Sequence, residues 1–140
     1  MIKTYTLSSG TTIKVHLQKK GESNNFFGDR NSWHDVYRLI MDFGYGKFTC
    51  TFHNATSCYK KPITESTIDN AVECVINDFS SYKQYPNIYD FLHEWGYDFD
   101  NKKQYNEGIK AYHGCCSVYK RLGLLTNEKE LKELWDIINN

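Results

Sequence analysis

The sequence predicts an α+β fold: a four-stranded antiparallel sheet made of two N-terminal hairpins, then a C-terminal helical half of three to four helices packed on it. Three observations carry this expectation. Residues 1–53 fall into short runs of alternating or near-continuous apolar residues, separated by Gly- and Ser-containing turns. Beyond residue 62 the apolar period lengthens to the helical one, with apolar positions three and four apart. Ser, Thr, Asn and Asp precede these helical stretches and Gly follows them, as helix starts and stops require. At 140 residues the chain is expected to form a single domain, with a β-rich half over 1–53 and a helical half over 62–140.

Residues 3–7 and 12–17 alternate around Ser8-Ser9-Gly10-Thr11, which reads as a hairpin with Tyr5 and Leu7 facing Ile13, Val15 and Leu17. Residues 18–32 hold two Gly, three Asn and mixed charge and read as a loop, with Phe26-Phe27 pinned to the core. Residues 33–43 carry a nearly continuous apolar run, Val36 to Phe43, which suits a central strand covered on both faces. Gly44-Tyr45-Gly46 turns the chain into residues 47–53, where Phe48, Cys50 and Phe52 point one way and Thr49, Thr51 and His53 the other.

In the helical half, Thr64 or Ser66 caps a helix whose stripe is Ile68, Ala71, Val72, Val75, Ile76 and Phe79. Asn87 caps a short helix with Ile88, Phe91, Leu92 and Trp95 on one side, and Gly96 suits the left-handed position that ends it. Asp98 or Asp100 caps the longest helix, striped by Tyr105, Ile109, Tyr112, Cys116 and Tyr119 and ended by Gly123. Gly108 and Gly114 inside it point to close approach of another element, since each costs about 1 kcal/mol of helix propensity relative to Ala. Thr126 caps a last helix bearing Leu131, Leu134, Trp135 and Ile138. The expected helical contribution to the core is Ile68, Val72, Phe79, Phe91, Trp95, Tyr105, Ile109, Leu131 and Trp135.

Charge narrows the function. Lys plus Arg and Asp plus Glu both number 17, which is unlike a dedicated nucleic-acid binder. The signs are unevenly spread, however. Residues 1–60 hold eight basic and four acidic side chains, residues 61–100 two and eight, and residues 101–140 seven and five. The acidic middle reads first as the solvated faces of two amphipathic helices. The five cysteines, an odd number, and the lack of a leader-like or membrane-length apolar run point to free thiols in a reducing cytoplasm.

No set of catalytic residues stands out, and the protein is not expected to be an enzyme. Neither GxxxxGK[ST] nor GxGxxG occurs, so no nucleotide cofactor is expected, nor any other. Cys50 and His53 are three apart on a strand and face opposite ways. His113 and Cys116 are i, i+3 on a helix and could take Cys74 or Cys58 into a zinc site, but no CxxC or HxxxH supports this, and no metal is expected. Glu94, Asp98 and Asp100 could act as a carboxylate pair or bind Mg²⁺, against a plainer role of Asp98 and Asp100 in helix capping. Lys102, Lys103, Lys110, Lys120 and Arg121 lie on the longest helix with Tyr105, Tyr112 and Tyr119 between them. The tyrosines should face inward and the cations solvent, so direct nucleic-acid binding is not the leading reading.

One resemblance adds context. It is carried by residues 47–54 (KFTCTFHN), Lys61-Pro62-Ile63-Thr64, Ile76-Asn77-Asp78-Phe79, and above all residues 89–103 with Trp95-Gly96-Tyr97-Asp98 and Asp100-Asn101. These are similar to a family of small, largely uncharacterised proteins encoded by bacteriophages, prophages and plasmids, whose members show an FGYDxDS-like segment before a long helix with an early Tyr. Here Trp95 replaces the commoner Phe and Asn101 the commoner Ser. The resemblance covers roughly residues 47–138. It implies a phage-encoded anti-defence inhibitor, most of all an anti-CRISPR protein. Such a protein would bind a DNA-targeting CRISPR effector nuclease, with or without its guide RNA, stoichiometrically and without a cofactor or membrane. Glu94, Tyr97, Asp98 and Asp100 are then the expected partner-binding side chains. The alternative is a nucleic-acid-binding accessory protein of a mobile genetic element, using Lys102, Lys103, Lys110, Lys120 and Arg121.

Overall fold

A computed structural model describes residues 1–23, 33–54 and 61–140. It is α+β. Four strands, β1 (Ile2–Thr6), β2 (Thr12–Ser23), β3 (His34–Asp42) and β4 (Lys47–His53), precede four helices, α1 (Glu65–Gln84), α2 (Ile88–Glu94), α3 (Lys102–Leu122) and α4 (Glu128–Asn139). The sheet is antiparallel throughout, in the order β1-β2-β3-β4. The chain divides into two compact units, Met1–Glu73 with Asn127–Asn140, and Cys74–Thr126.

The first unit is built on the alternation of its strands. Tyr5, Ile13, Val15, Leu17, Tyr37, Leu39, Met41, Phe48 and Phe52 are buried, and the register sets Tyr5 against Ile13, Leu17 against Leu39 and Met41 against Phe48. The residues between them, among them Thr4, Lys14, Gln18, Arg38 and Thr51, are exposed. Among the described residues the sheet therefore buries mainly one face, with His34 at the start of β3 the exception on the other. β3 is not covered on both sides as its apolar run suggested, because Val36 and Ile40 remain partly exposed on the outer face. The inner face meets the start of α1, where Ile68, Ala71 and Val72 are buried and Asp69 accepts hydrogen bonds from Tyr5 and Lys3. α4 contributes Leu131 and Leu134, and its Glu133 holds the amide and hydroxyl of Ser8.

β2 runs on to Ser23, so residues 18–23 are strand rather than loop. Their pairing with β3 passes through a register shift between Lys19 and Gly21, and such a bulge breaks the two-residue period on which the sequence reading depended. Phe26, Phe27 and Cys58 lie outside the described residues.

The second unit holds the last part of α1 with α2 and α3. Its centre is Phe91, Leu92, Tyr112 and Cys115, ringed by Tyr82, Tyr85, Ile88, Tyr97, Tyr105 and Ala111. Tyr82 stacks obliquely between Tyr112 and Tyr119, at ring-centroid distances of 5.6 and 4.9 Å, and Phe79 lies 4.8 Å from Tyr119. The Tyr112 hydroxyl donates to the Pro86 carbonyl at 2.7 Å. At Gly108 α2 comes close to α3: a Cβ there would stand 2.2 Å from Leu92 Cδ2 and 2.8 Å from Tyr97 Cγ. Gly114 does not share that role, since nothing lies within 4 Å of its Cβ position. Among the described residues, no helix is long and apolar enough to cross a membrane.

Candidate functional site

The turn from α2 into α3 concentrates exposed chemistry. Asn87 starts α2 by accepting from the Tyr89 amide at 2.8 Å. The helix lasts two turns and ends on Gly96, whose φ of 77° an L side chain would resist. The Gly96 amide bonds His93 O and the Tyr97 amide bonds Leu92 O, so the last carbonyls of α2 are met by the turn itself. Asp98 Oδ1 then accepts from the Asp100 amide at 2.9 Å, and Gln104 Oε1 from the Asp98 amide at 3.1 Å.

The cap of α3 is Asn101, whose Oδ1 accepts from the Gln104 amide at 3.2 Å. Neither Asp98 nor Asp100 caps it, and α4 is likewise capped by Asn127 rather than Thr126. The carboxylate of Asp100, exposed, is thus left free of the capping role the sequence suggested.

Three large aromatic side chains stand out of this turn: Tyr89, Trp95 and Phe99, exposed by 57, 44 and 48%. Trp95 was expected in the core. It lies at the C-cap of α2, where the helical stripe has ended, and one face of its ring packs on Phe91 at 4.6 Å. Phe99 makes edge contacts with Tyr89 at 6.1 Å and Tyr105 at 6.3 Å. The same segment, residues 88–101, carries Asp90, Glu94, Asp98 and Asp100, all exposed, and no Lys or Arg. An open depression of about 340 Å³ is lined by His93, Gly96, Tyr97, Asp98, Phe99 and Asp100.

Of the partner-binding residues named from sequence, Tyr97, Asp98 and Asp100 thus share one depression. Glu94 is exposed on α2 but does not line it. Tyr97 is half-buried, stacks on Phe91 at 6.5 Å, and lines the depression. Burial, with Glu107 nearby, pushes its hydroxyl pKa up, so it acts as a neutral phenol. Chemically the surface offers carboxylates beside aromatic faces, a combination suited to ammonium and guanidinium groups.

The second set named from sequence, Lys102, Lys103, Lys110, Lys120 and Arg121, is exposed along α3. At about 100° per residue these five positions fall within an arc of roughly 100°. Tyr112 is buried and Tyr105 and Tyr119 half-buried, so the tyrosines do not interleave with the cations at the surface.

A buried polar cluster in the first unit escaped the sequence reading. Asp35 is fully buried, pairs with Lys19 at 3.1 Å, and accepts from the Lys61 amide at 3.1 Å and the Tyr37 hydroxyl at 3.3 Å. Its carbonyl takes the Asn54 amide. Nearby, His34 Nε2 and His53 Nδ1 share a hydrogen bond of 2.8 Å. Burial, then the neighbouring His34, pushes the His53 pKa down. The local signal was the interruption of an apolar strand by His34-Asp35. The pairing itself depends on the β3–β4 register, which no local pattern reveals. His113, Cys116 and Cys74 do not converge, and no group of three or more His, Cys, Asp or Glu able to hold a metal occurs among the described residues.

No protein-family model, curated protein or solved structure matches the chain.

Proposed function

We propose that this protein is an inhibitor of host defence encoded by a phage or another mobile element, most specifically an anti-CRISPR protein. It binds a DNA-targeting effector nuclease stoichiometrically and blocks DNA recognition or cleavage. The observation that carries the reading is the α2–α3 turn: Tyr89, Trp95 and Phe99 exposed in one segment with Asp90, Glu94, Asp98 and Asp100, and no Lys or Arg there. Exposed aromatics are what protein interfaces use as anchors. Carboxylates set around them steer the surface toward a cationic partner and exclude acidic ones. An effector exposes Arg and Lys to read the motif flanking its target and to hold the duplex. A surface of this composition suits that occupant, and the resemblance described above supplies the biological setting.

The test is a DNA-cleavage assay with purified effector–guide complexes, paired with gel filtration of the mixture. Co-elution and loss of cleavage at about one equivalent support the proposal. Absence of both across several effector types overturns it.

A further inference from the structure

We infer that the outer face of α3 binds the phosphate backbone of a nucleic-acid duplex. Lys102, Lys103, Lys110, Lys120 and Arg121 are all exposed, and all fall on the narrow arc described above. The positions between them on that arc are Asn106, His113 and Ser117, also exposed, and none is acidic. Over 21 residues the stripe extends about 30 Å. Polar side chains spaced between cations are what phosphate tracking uses, and it needs no base contact.

Two further observations favour this occupant. Lys102 and Lys103 stand in the first turn of α3, which holds no acidic residue. Cations there oppose the helix dipole, so the stripe runs against local helix preference at that end. Second, no large apolar side chain is exposed anywhere along α3. A helix lying on a membrane needs such anchors, so a polyanion in water fits better than a lipid surface. The neutral net charge of the whole chain does not oppose this, because four of the carboxylates that balance it are gathered at residues 90–100. Lysine is a flexible point charge, so binding is expected to be independent of sequence.

The inference goes beyond the inhibitor proposal and is tested without any effector. Labelled DNA and RNA duplexes are titrated with the full chain by fluorescence anisotropy between 50 and 200 mM salt. With four to five phosphates neutralised, log K should fall with log salt at a slope of about −4, a loss of a few hundred-fold over that range. The duplex that binds identifies the nucleic acid. Changing Lys102, Lys103, Lys110 and Lys120 together to Gln should abolish most binding at 50 mM salt, with the circular dichroism spectrum unchanged. Lys110→Gln alone should lower the slope by about 0.9. Three outcomes overturn the inference: no saturable binding to either duplex at 50 mM salt, an unchanged slope in both variants, or binding to anionic phospholipid vesicles but not to duplexes.

Discussion

The Cys115 thiol donates to the Asp78 carboxylate across 3.8 Å, inside the second unit. Burial pushes Asp78 up to about 6 and Cys115 up to about 12. The thiol stays protonated at neutral pH, while the carboxylate is ionised there at a cost. Because the folded pKa lies above the ordinary 3.8, the contribution of Asp78 to stability is complete below pH 3.8 and is lost as pH rises through about 6. Asp78→Asn keeps the shape and removes the charge. It should raise stability by about 2 kcal/mol at pH 7.5 and change little at pH 3.5. Urea unfolding at the two pH values reads this directly. A destabilised variant at pH 7.5 would mean that the bond from Cys115 to the ionised carboxylate outweighs its burial.

Gly108 and Gly114 stand six residues apart on α3 in opposite situations. A methyl group at 108 meets Leu92, itself fully buried, and the ring of Tyr97. Gly108→Ala should therefore destabilise by about 1–3 kcal/mol, overpacking outweighing the gain in helix propensity. Gly114→Ala meets nothing and should stabilise by about 0.5–1 kcal/mol. Thermal unfolding of the pair checks both signs in one experiment.

Asp35 ties β2, β3 and the chain entering α1 through Lys19, its own strand and the Lys61 amide. Lys19 is partly exposed and can return to water when the carboxylate is removed, so Asp35→Ala leaves no buried cation behind. The greater cost of Asp35→Ala is that the Lys61 amide and the Tyr37 hydroxyl lose their acceptor. A loss of about 2–3 kcal/mol follows. In Lys19→Met those bonds survive, and the loss should be smaller than in Asp35→Ala. Equal losses in the two variants would refute this division.

How far the sequence reveals this molecule depends on whether a feature is local. β4 is legible to the residue, because Phe48 and Phe52 alternate without interruption. So are the stripe of α1, the left-handed Gly96 and the close approach at Gly108. The end of β2 is not, because a bulge and polar residues remove the period beyond Leu17. The cap of α3 is ambiguous for another reason: Asp98, Asp100 and Asn101 are all capping types within four residues. Only the hydrogen bond from Gln104 decides among them. Asn101→Ala should cost about 1 kcal/mol and Asp100→Ala close to nothing, in the same urea assay. The carboxylates of the candidate site were legible as a cluster. The exposure of Trp95 was not, because the apolar spacing continued one position past the end of the helix.

The last prediction separates function from stability at that turn. Glu94 is exposed in the final turn of α2, where a positive side chain suits the helix dipole. Glu94→Lys should leave the unfolding midpoint unchanged or slightly raised, yet place a cation in a segment that has no Lys or Arg. Phe99→Ala removes a half-exposed ring whose contacts are edge contacts with Tyr89 and Tyr105, and should cost under about 1 kcal/mol of stability. If the turn docks on a cationic protein surface, each variant should weaken inhibition or co-elution by tenfold or more, and the Glu94→Lys loss should shrink as salt rises. Binding that survives both substitutions would move the interface away from the α2–α3 turn, whatever the partner proves to be.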